Sequence, residues 1–209
     1  MKLTSSSFAD GTAIPAEFAF CAIDAKTHAT LSGNRNPQLA WSDVPMGAKS
    51  FALICHDPDV PSKGDDVNKE GRIVPSSLAR VDFFHWVLVD LKPAMVGVMA
   101  GEFSSSVVAR GKPGPQAPHG ARQGINDYTG WFASDQDMAG DYYGYDGPCP
   151  PWNDERPHRY VFTVYALDVA RLGIEGRFGG LEVRKAVEHH VLAQASITGR
   201  YTLNPAVRV

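Results

Sequence analysis

Asp57, His85 and His158 are the residues whose types and settings could do chemistry. Each stands within, or at the end of, a run that reads as a buried strand. A carboxylate beside an imidazole favours the imidazolium, fixes its tautomer and balances its charge. The expectation is that Asp57 holds a histidine in its donor form and that both histidines receive an anion. Asp59, set between Pro58 and Pro61, presents a second carboxylate. Phosphate or carboxylate heads are held by such preorganised donor clusters. The competing chemistry is hydrolysis, with an Asp–His pair as general base or with His56, Asp57, His85 and His158 on a metal. There is no Gly-x-Ser-x-Gly elbow to supply a nucleophile and no His-x-His or His-Glu-x-x-His spacing to hold a metal. Non-catalytic binding is therefore preferred, with no metal and no cofactor. Blander roles exist for each residue: an Asx turn for Asp57-Pro-Asp59, a packed core histidine for His85, a surface turn for the proline loop.

The elements that must position these groups come next. Ser50–His56 is a continuous apolar run, the pattern of a strand covered on both faces, and it is expected to end at Asp57-Pro-Asp-Val-Pro61. Phe83–Leu91 is a second strand, in which alternation puts His85 on the face of Phe83, Val87 and Val89. The stretch Gly147–Pro157 is a proline-stiffened loop that delivers His158 to a third strand, Val161–Asp168. Residues 62–82 read as a polar excursion, solvated or forming a rim of the site. From Pro93 to Pro157 the chain lacks apolar runs but carries Tyr128, Trp131, Phe132, Tyr142, Tyr143, Tyr145 and Trp152. That predicts an ordered loop region over the sheet ends. The glycines around Lys112 and Arg122 lack the phosphate-loop pattern. Gly180–Gln194 has three-and-four apolar spacing and predicts an amphipathic helix, followed by a short edge strand. Helix packing and solvent account for His189 and His190.

The chain has 209 residues, 44% hydrophobic and 21% charged, which suits one folded domain over 1–209 with a real core. A net charge of −3 gives no global attraction to nucleic acid or to an anionic membrane surface. No segment reads as a signal core or a membrane span. Cys21, Cys55 and Cys149 are odd in number and widely spaced. That argues against a disulfide framework and a zinc site, and fits a reducing cytoplasm.

Asp57-Pro-Asp-Val-Pro61, His85 after aromatics, and Gly147-Pro-Cys-Pro-Pro151 leading to His158-Arg-Tyr160 resemble, in that order, the motifs of the phosphatidylethanolamine-binding proteins. The resemblance is to the bacterial Raf-kinase-inhibitor-like branch, over roughly residues 18–203. It implies an all-β-dominated fold, an antiparallel β-sandwich with long loops and a C-terminal helix. It also implies a small anion pocket built from Asp57, Asp59, His85, Cys149, Pro150, Pro151, His158 and Tyr160. The expected partners are a small phosphate- or carboxylate-bearing ligand, a peripheral lipid head group, a kinase or protease under regulation, and a second copy of the chain. Two departures stand out. Phe83 and Phe84 replace the Trp and His common in eukaryotic members, and the tyrosine that those members add to the pocket has no visible equivalent.

Overall fold

The computed structural model describes residues 1–209. In chain order the elements are β1 (Lys2–Thr4), β2 (Cys21–Asp24), β3 (His28–Leu31), β4 (Leu39–Ser42), β5 (Ser50–Pro61) and β6 (Arg80–Leu91). There follow β7 (Gly97–Val98), β8 (Arg122–Gln123), α1 (Tyr128–Trp131), β9 (His158–Leu167), α2 (Gly180–Val187) and β10 (Val191–Tyr201). An antiparallel five-stranded sheet runs β10-β9-β5-β6-β8, a smaller one runs β1-β4-β7, and β2 pairs with β3 as a hairpin.

Strand β5 is central and is buried on both faces, as its unbroken apolar run requires. Phe51, Leu53 and Cys55 join the core shared with Leu3, Leu39 and Trp41 of the small sheet, while Ala52 and Ile54 join a second core beneath α2. Burying side chains of this size stabilises by about 1.5–3 kcal/mol each before entropy is counted. The fold is thus an antiparallel sandwich with a helix against its outer face. Val183 and Val187 of α2 meet Phe84, Val87 and Val89 there. Gly180 permits the close approach, since a Cβ at that position would sit 2.1 Å from the Phe84 ring.

Two boundaries differ from those read in the sequence. The helix ends at Val187 instead of reaching Gln194. From Val191 burial alternates residue by residue, and Ala193 to Tyr201 pair with β9 down to His158. A period of two has replaced the helical period, and the sheet edge takes those residues. Strand β5 also continues past His56 to Pro61. Pro58 is tolerated because the ladder is interrupted between Asp57 and Val60, and Pro61 because it ends the strand where pairing with β9 has already stopped at His56. No helix is long and apolar enough to cross a membrane.

Candidate functional site

Two irregularities in the large sheet aim the polar groups. On β6, Phe84 and Trp86 face the consecutive residues His56 and Cys55, so His85 is the extra residue of a bulge. The bulge resets the alternation. Phe84, Val87 and Val89 enter the core under α2, while Trp86 and Leu88 enter the other core. His85 goes with Phe83, as expected, but on the face opposite Val87 and Val89. Its ring meets Phe83, Tyr128 and Tyr160 at centroid distances of 4.9, 5.5 and 5.1 Å. The bulge on β5 brings Asp57 beside the first residues of β9, and its Oδ1 accepts the Asp59 N–H at 2.7 Å.

His158 is fully buried and held from both sides. Its Nδ1 lies 2.6 Å from Asp57 Oδ2 and its Nε2 lies 3.1 Å from Asp154 Oδ2. Both nitrogens face carboxylates, so both must carry hydrogen, which makes the ring an imidazolium. Burial alone would lower its pKa. The Asp57 charge and the hydrogen bonds to Asp154 and Asp57 outweigh burial and hold it up at about 9. Arg80 closes on Asp154 with both of its Nη atoms, Nη2 at 3.0 Å. Asp57, His158, Asp154 and Arg80 therefore form a chain of alternating charge with no net excess.

The expectation that both histidines donate to an anion is corrected here. His158 has spent both N–H groups on carboxylates and serves as a buried charge. His85 donates Nδ1–H to the Asp146 carbonyl at 2.8 Å, which leaves Nε2 for the cavity. Burial, partly opposed by the Asp57 charge and the Asp146 hydrogen bond, pulls its pKa down to about 4. Near neutral pH His85 thus offers a lone pair. Tyr160 supplies the donor: its buried hydroxyl lies beside the Asp57 carboxylate and completes no hydrogen bond of normal geometry. Burial and then the Asp57 charge raise its pKa, so it stays protonated. Asp59 does not line the cavity. Its carboxylate is held by Arg159 Nε at 2.8 Å, Nη2 at 3.0 Å and the backbone N–H at 3.0 Å. It fixes the start of β9.

The loop after Gly147 is held from beneath. Asp146, wholly buried, accepts from Lys112 Nζ at 2.6 Å, Asn34 Nδ2 at 2.7 Å and Asn126 Nδ2 at 2.8 Å. Asn34 Oδ1 takes the Gly147 N–H, and Asn126 Oδ1 takes the Tyr128 N–H. One buried carboxylate thus orients His85, Tyr128 and the proline loop together. Gly147 is required for contact: a Cβ there would lie 2.2 Å from the Phe18 carbonyl oxygen.

The reading of the cysteines is overturned. Cys21 and Cys149 form a disulfide across 128 residues of chain, and Cys55 is free and buried. Spacing in sequence said nothing of this, because the hairpin and the proline loop meet only in the folded chain. Cys149 is therefore not available as a thiolate, and bonds of this kind persist in oxidising compartments. Reducing it, or replacing both cysteines by serine, should cost about 2–4 kcal/mol, because so long a loop is closed. Urea unfolding with and without reductant measures this; coincident midpoints would mean that the bond contributes nothing.

Asp57, His85, Cys149, Pro150, Pro151, His158 and Tyr160 line one cavity of about 410 Å³, so the distant segments converge as expected. Most of its wall is apolar and was missed: Phe20, Phe83, Tyr128, Trp131, Phe132 and Met138, with Val60, Pro61 and Val67. Tyr128 provides the aromatic contribution for which the sequence offered no visible equivalent. No Lys or Arg is among the lining residues. No group of three or more His, Cys, Asp or Glu is arranged to hold a metal ion.

Comparison with known proteins agrees with the fold. The family model described as phosphatidylethanolamine-binding protein matches residues 4–202. The UPF0098 protein YbhB of Escherichia coli K12 is 33% identical over 202 residues, covering 97% of this chain and 100% of YbhB. A UPF0098 protein of Methanothermobacter thermautotrophicus is 33% identical over 202 residues, covering 96% of this chain and 98% of the relative. Among solved structures, Escherichia coli YbcL, described as a new member of the mammalian PEBP family, superposes with a TM-score of 0.67 and 26% identity. That match covers 96% of this chain and 97% of YbcL. The homologue CT736 of Chlamydia trachomatis gives 0.61 and 27% identity, over 96% of this chain and 95% of CT736. The chain belongs to the phosphatidylethanolamine-binding protein family.

Proposed function

We propose that this protein binds, without turnover, a small ligand whose phospho-head-group carries no more than one net negative charge. The observation that carries the reading is one cavity lined by both Tyr160 and His85, in which the buried Tyr160 hydroxyl has no well-formed hydrogen bond and the Asp146 bond leaves His85 Nε2 free. A buried donor without a partner is costly, and a ligand acceptor relieves that cost. The head must therefore accept from Tyr160 and donate to His85 or Asp57. A phosphate monoester in its monoanionic form does both, and so does a phosphate joined to an ammonium. A carboxylate alone can only accept. The charge limit follows from the balanced Asp57–His158–Asp154–Arg80 chain and from a lining without Lys or Arg. The family's description as phosphatidylethanolamine-binding supports a phosphate head.

Hydrolysis is less well supported. The imidazolium of His158 cannot accept a proton, and a base whose pKa is about 4, as in His85, removes protons from water poorly at neutral pH. Neither Cys149 nor any activated serine stands ready as a nucleophile.

Phosphoethanolamine at neutral pH, and phenyl phosphate at about pH 5 where it is mostly the monoanion while His85 stays mostly neutral, are suitable probes for calorimetry or ligand-observed NMR. Tyr160→Phe keeps the ring and removes only the donor, so it should weaken both about tenfold or more, the value of a hydrogen bond to a charged group. Unchanged affinity would overturn the assignment of Tyr160, and no binding of either probe by the wild type would overturn the reading.

A further inference from the structure

The excursion at residues 62–79 has no part in the head-group chemistry, yet it is fastened to the loop that builds the site. Asn153, two residues after Pro151, donates from Nδ2 to the carbonyls of Asp66 at 2.9 Å and Arg72 at 3.0 Å, and accepts the Asn68 N–H on Oδ1 at 3.0 Å. The Trp152 N–H returns to Asn68 Oδ1 at 3.0 Å, and Asn68 itself sits at φ 56° to allow both bonds. Further along, Val74 bridges to Asp154, and Glu155 accepts the Ser76 N–H at 2.9 Å. His28 of the β2–β3 hairpin stacks on Trp152 with centroids 3.9 Å apart and reaches Glu70 at 2.6 Å. So many keyed contacts give a nominally polar excursion one fixed position.

That position makes it a wall of the cavity, where Gly64, Val67 and Asn68 contribute lining and Val67 is the apolar member. A second apolar wall comes from a separate segment, with Trp131, Phe132 and Met138 around α1. A phospho-head-group needs only the region of Asp57, His85 and Tyr160. The rest of the 410 Å³ is lined mostly by carbon, with the Asn68 amide as the polar side chain of the outer wall.

Resting on the head-group reading above, we propose that the 62–79 excursion is the specificity wall of the pocket. In this role Val67 sets the size of an apolar, ring-bearing body that the ligand must carry behind its phosphate.

Phenyl phosphate and methyl phosphate share a head and differ only in the body, so the pair separates the inference from the reading beneath it. Affinities of wild type, Val67→Trp and Val67→Ala would be measured by ligand-observed NMR at about pH 5, where both esters are mostly monoanionic, with thermal unfolding confirming that each variant is folded. Wild type should prefer phenyl phosphate by at least about tenfold, since burying a ring removes much apolar area from water. Val67→Trp should abolish most of that preference while leaving methyl phosphate within about twofold, and Val67→Ala should change phenyl phosphate alone. Equal wild-type affinity for the two esters would overturn the specificity wall and leave the head-group site standing. A parallel loss of both esters in Val67→Trp would also overturn it, by showing that Val67 supports the head-group seat. If the wild type bound neither ester, the head-group reading itself would fall.

Discussion

Replacing His158 by leucine should destabilise the fold by about 3–5 kcal/mol, the range for removing one partner of a buried ionic cluster. Leucine fills much the same space, so the loss comes from charge rather than from a cavity. Asp154 would keep Arg80 as a partner, whereas Asp57 would keep only the Asp59 N–H. The uncompensated charge is therefore on Asp57. Adding Asp57→Asn to His158→Leu should recover a substantial part of the loss, because an uncharged amide costs less to bury than a lone carboxylate. Urea unfolding of the wild type, the single variant and the double variant measures the coupling directly. A single variant within about 1 kcal/mol of wild type would mean that the clamp on His158 is not made in solution. A double variant worse than the single would mean that Asp57 is not where the penalty falls.

That test bears on how the site was read. Convergence of Asp57, His85 and His158 was legible because each sits where a strong strand begins, ends or turns irregular, and the order of the motifs matched one family. The roles of the residues were harder to see. Nothing in His158-Arg-Tyr160 says that both imidazole nitrogens are occupied. Asp154, four residues earlier and already within the quoted stretch, was the available signal: two carboxylates aimed at one ring consume its donors. The role of Asp59 was misread for a similar reason. Asp-Pro-Asp looks like a paired display, but the bulge between Asp57 and Val60 separates the two, and Arg159 captures the second.

The remaining misses share one physical origin, which is that bulges and long-range closures leave little trace in local pattern. Strict alternation from Phe83 put His85 with Val87 and Val89, and a single extra residue on β6 sent those valines to the other core. Tyr128 opens the one-turn helix α1, outside the long strands, so its place beside His85 depends on Asn126, Asp146 and Gly147 rather than on any period. The Cys21–Cys149 bond and the 62–79 wall are of the same kind, each fixed by the meeting of the proline loop with a distant segment. Strand β5 was legible as an unbroken apolar run covered on both faces, and α2 because its apolar residues recur at helical spacing.

Stability should be greatest near pH 6.5 and fall on both sides, because two buried histidines are displaced in opposite directions from their ordinary value. His158 has a folded value of about 9, above its unfolded value. Its imidazolium contributes fully below pH 6.5, and that contribution is lost as pH rises through 9. His85 has a folded value of about 4, below its unfolded value. Its neutral ring contributes fully above pH 6.5, and that contribution is lost as pH falls towards 4. Each limb involves one proton and so slopes by about 1.4 kcal/mol per pH unit, which amounts to about 3 kcal/mol lost by pH 4 and again by pH 9. His56, also lowered by burial, adds to the acid limb in the same sense. Asp127 and Asp146, raised by burial, act against it near its foot. The lowered carboxylates Asp59 and Asp154 lose their contributions only below their ordinary range, so they do not shape the limb above pH 4. On the alkaline side the buried Cys55 thiol and the Tyr145 and Tyr160 hydroxyls, all raised well above their ordinary values, act beyond pH 9. Urea unfolding across pH 4–9 should therefore give a bell that His85→Gln flattens on the acid side and His158→Leu flattens on the alkaline side. If either variant leaves its own limb as steep as in the wild type, that histidine does not hold the charge assigned to it.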